Sequence, residues 1–227
     1  MNALAKKLGL EPTLRFYDVY SLDDEELLAL IPRPVYALLV ILPLTRAWDE
    51  ERRREDEGRE KEGGVGGPIL YFPQTIGHAC GSIGLLHCLL NGPAKAHILP
   101  NSILARIRET ANPLDVNARA QLLYEDREFE DAHQSVAELG DTRAPSAEDG
   151  DRLGQHFVAF VKEDGRLWEL EGNRKRPLDR GALAEEDDVL SPRALALGLK
   201  RVIDLELRSG GGDLRFSCIA LAKAEGV

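Results

Sequence analysis

Cys80 sits where Gly77-His78-Ala79 gives way to the apolar run Gly81 to Leu90, which reads as a buried helix. A thiol at a helix N-terminus feels the positive end of the dipole and the free backbone N–H groups. Both favour the thiolate, the nucleophilic form. Gly81 lets another group come close. A nucleophilic cysteine needs a histidine to take its proton and a third group to orient that histidine. Of the five histidines, His87 and His97 lie in or near helices with no partner legible in the sequence, and His133 falls on a helix surface. His156 opens a strand directly after a long loop.

Hairpin geometry finds the third group. With Asp164-Gly165 as the two turn residues, Glu163 faces Arg166, Val158 faces Glu171 and His156 faces Asn173. His156 and Glu171 are then diagonal neighbours on one face, with Cβ atoms roughly 7–8 Å apart, a gap that a glutamate side chain spans. A one-residue slip would break this pairing. Glu169 shares the face one pair nearer the turn and reads as a solvated strand carboxylate, as Glu171 would if taken alone. Gln74 lies six residues before Cys80. Its amide can donate to the oxyanion of a tetrahedral intermediate, with the Cys80 N–H as second donor.

Two plainer readings compete. A cysteine can simply be a buried small hydrophobe, which suits Cys88 inside the helix and Cys218 in the last strand. His78, Cys80, His87 and Cys88 could be taken for a metal site. However, His87 and Cys88 are adjacent and cannot both face one ion on a regular helix, and the spacing fits no standard zinc pattern. No metal or other cofactor is expected.

The elements that must position these groups are partly legible. Ser21-Leu-Asp-Asp24 resembles a capping box for a short helix through Leu30, stopped by Pro32 and Pro34. Val35 to Leu44 is a near-continuous apolar strand, as expected for one buried on both faces. The stretch from about 48 to 67, dense in Glu, Asp and Arg and then glycine-rich, reads as a solvated, flexible segment, an exposed helix or a loop. Asn101 or Ser102 caps a helix that Asn112-Pro113 ends. Asn117 to Glu138 is an amphipathic helix, and residues 139 to 154 form a loop without periodicity, of a length that is usually functional. His156 to Val161 and Arg166 to Leu170 pair as strands. Asp187 to Leu199 is partly helical, and Leu214 to Leu221 is a final strand. A helix-rich first part followed by antiparallel strands predicts an α+β layer fold.

The chain has 227 residues, 43% of them hydrophobic, enough for one substantial core, and residues 1–227 are expected to form a single catalytic domain. No run of 18 apolar residues appears, so no membrane span is expected. The N-terminus lacks the apolar core of a secretory signal. Three cysteines are too few for a disulfide framework, which implies a reducing compartment, the cytoplasm with the nucleus also open. A net charge of -10 disfavours nucleic acid and suits a basic protein partner or mere solubility. Nothing marks an oligomerisation face, so a monomer is expected.

Gln74-Thr-Ile-Gly-His-Ala-Cys80-Gly-Ser-Ile-Gly-Leu-Leu-His87 resembles the signature of the ubiquitin C-terminal hydrolases. His156-Phe-Val-Ala-Phe and Gly165-Arg-Leu-Trp-Glu-Leu-Glu-Gly172 are similar to the family's histidine and acid blocks. Phe16-Tyr-Asp-Val-Tyr, Ile31-Pro-Arg-Pro-Val35 and Leu214-Arg-Phe match further stretches, so the likeness spans the chain. It implies a papain-like α/β/α fold around a central antiparallel sheet, with a knotted backbone. It implies metal-free hydrolysis after the C-terminal glycine of ubiquitin, from small adducts, precursors or flexible peptides. By matching position, Cys80 is the nucleophile, His156 the general base and then acid, Glu171 its orienter, and Gln74 part of the oxyanion hole. The segment from about 137 to 155 matches an active-site crossover loop. Ubiquitin contacts are expected at Ala137, Glu138, Leu139, Gly140, Asp141, Thr142, Arg143 and Ala144, and at Asp213, Leu214, Arg215, Phe216, Ser217 and Cys218.

Three departures stand out. The acid position normally carries Asp, so the carboxylate of Glu171 sits one methylene further out. His78 stands where the family often has Asn. The N-terminus starts late, without an acidic, proline-containing stretch that helps relatives bind ubiquitin. The first departure leaves open a protein that binds ubiquitin on this fold without turnover.

Overall fold

The computed structural model describes residues 1–57, 67–77, 79–137, 154–210 and 213–226. His78, residues 58–66 of the charged segment, and residues 138–153 of the crossover loop expected over about 137–155 lie outside the described residues.

A six-stranded antiparallel sheet runs through the middle in the order β1 (Leu14–Asp18), β6 (Ser217–Lys223), β2 (Ala37–Pro43), β3 (Gln155–Glu163), β4 (Arg166–Leu170), β5 (Leu178–Ala182). β2 is the apolar run seen in the sequence and is central and buried on both faces. Its Leu39 joins Ala159 and Val161 of β3 in one core. Its Leu38, Val40 and Leu42 join Val158 and Phe160 in the other. Side chains alternate faces along a strand, so one strand feeds both layers.

The first core is closed by α1 (Asn2–Leu8), α4 (Cys80–Leu90), α5 (Ile103–Ala111), α6 (Val116–Glu125) and α7 (Arg127–Ala137). The second is closed by Trp48 of α3 (Arg46–Asp56), by α8 (Pro192–Leu197) and by α9 (Leu199–Ser209), with Leu28 of the short α2 (Glu25–Leu28) packed at its border. These are the expected α/β/α layers. The chain path of the knot implied by the resemblance includes segments that lie outside the described residues.

The β3–β4 register is the one read from the sequence, from Glu163 opposite Arg166 to Ala159 opposite Leu170. Asp164 and Gly165 both have positive φ, 50° and 69°, as a type I′ turn requires. α4 is buried from Ser82 to Leu90. A Cβ on Gly84 would lie 2.7 Å from Leu39 Cδ1, so glycine is what lets the helix lie close on the sheet.

Several expectations are corrected. Asp24, not Ser21, caps α2, because its carboxylate accepts from the N–H groups of Glu26 and Leu27. The expected single helix over 117–138 is two, broken at Asp126, whose carboxylate caps the second through the N–H of Phe129. Residues 46–56 of the charged stretch form an ordered helix with Trp48 and Asp56 buried. Glu169 is not solvated: it is 1% exposed and paired with Arg180 at 2.7 Å and Arg174 at 3.3 Å. α1, β1, β5 and α9 are further elements that the sequence reading did not include.

Candidate active site

α4 begins at Cys80 with no side chain capping it among the described residues, and its first intrahelical bond runs from Ile83 N–H to the Ala79 carbonyl. Among the described residues the N–H groups of the first turn have no intrahelical acceptor and can face the thiol. Cys80 is half-buried, whereas Cys88 and Cys218 are buried. Burial pushes the Cys88 thiol up and the Cys218 thiol up to about 12, so neither ionises at ordinary pH.

His156, 4% exposed, stands at the start of β3 under the ring of Trp48, their centroids 6.1 Å apart. Its Nε2–H donates to Glu171 Oε1 at 2.5 Å, and Cys80 is near enough to contribute to the raised pKa of the imidazole. With Nε2 committed to the carboxylate, Nδ1 is the nitrogen left for the thiol. Burial opposes charging of the ring. Interactions with Cys80 and Glu171 outweigh it and raise the pKa to about 9. The site is thus built to carry an imidazolium at neutral pH.

Glu171 is fully buried, one residue beyond β4. Its Oε1 also accepts from Asn173 N–H at 2.7 Å, while Oε2 has no partner among the described residues. Gln74 is held by its own N–H on the Gly172 carbonyl at 2.8 Å, and its Nε2 makes a single long bond, 3.5 Å, to the Ile76 carbonyl. A Cβ on Gly172 would lie 2.8 Å from Gln74 Cβ, so glycine there permits the approach. The four predicted residues therefore share one structural neighbourhood.

The remaining predicted contacts divide. Ala137, exposed, ends α7, and Glu138 to Ala144 lie outside the described residues. Asp213 to Cys218 lead into β6, with Leu214 48% exposed and Asp213 paired to Arg215 at 2.6 Å. Ser217 and Cys218 line a cleft of about 580 Å³ together with Arg15, Tyr20, Leu30 and Phe157. Phe157 also reaches the helix start, since a Cβ on Gly81 would lie 3.3 Å from its ring.

The other described histidines have partners that the sequence did not reveal. His133 meets Ser82 Oγ at 2.6 Å, His97 meets Glu11 at 3.1 Å, and His87 lies on Phe72 and Tyr71. His87 and Cys88 thus have other engagements than a metal. Among the described residues no group of three or more His, Cys, Asp or Glu could hold an ion, and no helix is long and apolar enough to cross a membrane. Tyr71 and Trp48 were missed as supports of the site. Tyr71 lies within the continuous apolar run Ile69 to Phe72, whose pattern marks burial and not a support of the site.

The buried nucleophile helix, the cysteine at its start and the imidazole–carboxylate pair on the facing sheet define a papain-like thiol-hydrolase arrangement. The family model described as ubiquitin carboxyl-terminal hydrolase, family 1 (peptidase C12), matches residues 1–204, and the chain belongs to this family. It is 35% identical to ubiquitin carboxyl-terminal hydrolase 3 of Arabidopsis thaliana over 98% of this chain and 90% of that one. It is 34% identical to isozyme L1 of Rattus norvegicus, covering 99% and 94%, and 33% identical to isozyme L1 of Homo sapiens over the same shares. Among solved structures, the catalytic domain of Trichinella spiralis UCH37 bound to ubiquitin vinyl methyl ester superposes with a TM-score of 0.72 at 20% identity, covering 98% of this chain and 90% of that one. That likeness shows the shared fold.

Proposed function

We propose that the chain is a deubiquitinating cysteine protease that hydrolyses the bond after the C-terminal glycine of ubiquitin. The observation that carries this reading is the Cys80–His156–Glu171 relay, assembled at the start of α4 in a chain of this family. With the thiol proton already held by His156 as an imidazolium, the thiolate attacks the scissile carbonyl carbon. A C–S bond forms and the carbonyl electrons move onto oxygen, where Gln74 Nε2–H and the Cys80 N–H donate to them. The tetrahedral species collapses, the C–N bond breaks, and the imidazolium gives its proton to the leaving amine. Water then attacks the thioester carbonyl and His156 receives its proton; the C–S bond breaks, its electron pair returns to the Cys80 sulfur, and ubiquitin leaves with a free carboxylate.

Glu171 holds the ring so that Nδ1 faces Cys80, and its buried charge favours the imidazolium. The cleft at Ser217 and Cys218, on the Phe157 side of the helix start, is where the body of ubiquitin would sit. Asp213 to Phe216 would border it, and Ala137 to Ala144 would contact the tail. The net charge of -10 suits a basic ubiquitin tail. Three free thiols suit a reducing, cytosolic setting. A monomer suffices for the proposed chemistry, since every group in the relay comes from one chain.

The non-catalytic reading rested on Glu171 in place of Asp. The bond from His156 to Glu171 removes that support. Steady-state hydrolysis of a fluorogenic ubiquitin C-terminal amide tests the proposal. Turnover that vanishes in Cys80→Ala supports it. A folded native chain that binds ubiquitin and never turns it over overturns it.

A further inference from the structure

Glu171 lies beyond the last paired residue of β4, so no sheet ladder fixes its main chain. A buried aromatic does so instead. The Tyr71 hydroxyl lies 2.7 Å from the Glu171 carbonyl and 2.8 Å from that of Arg174, sharing its one proton between the two. These carbonyls bracket a tight turn closed by Arg174 N–H on the Glu171 carbonyl at 3.0 Å. Tyr71 is 1% exposed, so water has no ready access to replace its hydroxyl.

The other end of Tyr71 is tied to the nucleophile helix. Its ring stacks on His87 of α4, with centroids 5.2 Å apart and planes 9° from parallel. His87 Nε2 lies 3.1 Å from both the N–H and the carbonyl of Phe72. One turn further on, Asn91 brackets Leu70, accepting from its N–H at 2.7 Å and donating to its carbonyl at 3.0 Å. Gln74 N–H closes the frame on Gly172. The extended segment 70–74 is thus stitched to α4 on one side and to the turn carrying Glu171 on the other.

We propose that Tyr71 is a positioning residue for the His156–Glu171 pair, its hydroxyl clamping the main chain beneath Glu171 and its ring keyed to the Cys80 helix through His87. The longer arm of a glutamate gives this clamp its importance. One more rotatable bond separates carboxylate from backbone than in aspartate, so the place of the carboxylate depends more on where the backbone is held. Both partners in the stack stay uncharged at working pH. Burial pulls His87 down to about 3 against a hydrogen bond to the Phe72 carbonyl, and burial, Glu171 and Asp56 hold the Tyr71 phenol well above its ordinary value.

The inference rests on His156 and Glu171 serving the proposed hydrolysis, but its test does not depend on turnover. Tyr71→Phe keeps the ring and removes the hydroxyl. Among the described residues, the groups facing His156 are Cys80 from α4, Glu171 from the turn and the uncharged Trp48 ring from α3. A slackened Glu171 therefore weakens what raises the imidazole, and its NMR titration should fall from about 9 toward 6.5. In turnover, kcat should drop about ten-fold with KM little changed, and the basic limb of the pH profile should move down with the titration. The loss should largely disappear when Tyr71→Phe is placed on Glu171→Gln, because both act through one carboxylate.

If Tyr71→Phe fails to fold, 4-aminophenylalanine at position 71 keeps the shape with a weaker donor and should give a smaller downward shift. An unmoved His156 titration in the folded variant, or a loss fully additive with Glu171→Gln, overturns the proposal. A native chain without turnover would count against the hydrolase reading alone and leave the titration to judge the clamp.

Discussion

Glu169 and Glu171 are two residues apart, equally buried and of the same type, yet they sit in opposite electrostatic surroundings. Glu169 meets Arg180 at 2.7 Å, Arg174 at 3.3 Å and Arg201 at 3.6 Å, and these arginines also bind Glu55 of α3. Burial raises its pKa, and the three guanidinium groups outweigh that and leave it lowered. Glu171 has a single imidazole, one backbone N–H, and an oxygen without a partner among the described residues. A carboxylate saturated by fixed cations can only hold the fold together. One with a titratable partner and spare capacity can follow a proton. Burial alone does not separate the two roles; the neighbours do.

The sharpest break between the regions is in activity. Cys80→Ala should reduce kcat on the order of 10⁴-fold or more while leaving the Glu169 cluster and thermal stability intact, as steady-state kinetics beside calorimetry will show. Glu171→Gln should come next. It keeps the shape and a hydrogen-bonding group but offers no charge to the imidazolium, so kcat should fall about 10²-fold or more with the Tm nearly unchanged.

Glu169→Ala should do the reverse. It leaves Arg180 leaning on Glu55 and Arg174 on Glu55 and Asp56, and denaturant unfolding should show about 3 kcal/mol lost, with kcat per folded molecule changed far less. A Glu169 variant that kept its stability and lost its activity would erase the distinction.

Titration sharpens the comparison from both ends of the pH scale. The folded pKa of His156, about 9, exceeds the ordinary 6.5. Its contribution is therefore full below 6.5 and lost as pH rises through 9, on the order of 3 kcal/mol for an unrelaxed site. Glu55, in the arginine cluster, is held down at about 2 from 4.5: burial opposes this, and Arg180, Arg201 and Arg174 overcome it. Its contribution is present above 4.5 and fades as pH falls toward 2. Urea unfolding across pH should show a basic-side loss that Glu171→Gln diminishes and an acid-side loss that Glu55→Gln diminishes.

This contrast also explains what could be read in the sequence. The His156–Glu171 pairing was accessible because a two-residue turn fixes register, and register places side chains by counting. The nucleophile was accessible because a glycine-flanked cysteine opens an apolar helix. Glu169 was misread because its arginines come from Arg174, Arg180 and Arg201, and Glu55 joins them from another layer, so no local count brings them together. Tyr71 was missed for the same reason, since its partners lie in a turn 100 residues away. Asp126 broke an amphipathic helix that periodicity alone would have continued, because a cap outweighs a pattern at one position.

The most direct test is to incubate the native protein with ubiquitin carrying a C-terminal vinyl methyl ester and to map the product by intact-mass and peptide mass spectrometry. One ubiquitin bound covalently through Cys80, with Cys88 and Cys218 unlabelled and no adduct in Cys80→Ala, is the predicted result. A folded protein that forms no adduct, or that carries it on another cysteine, would contradict the account.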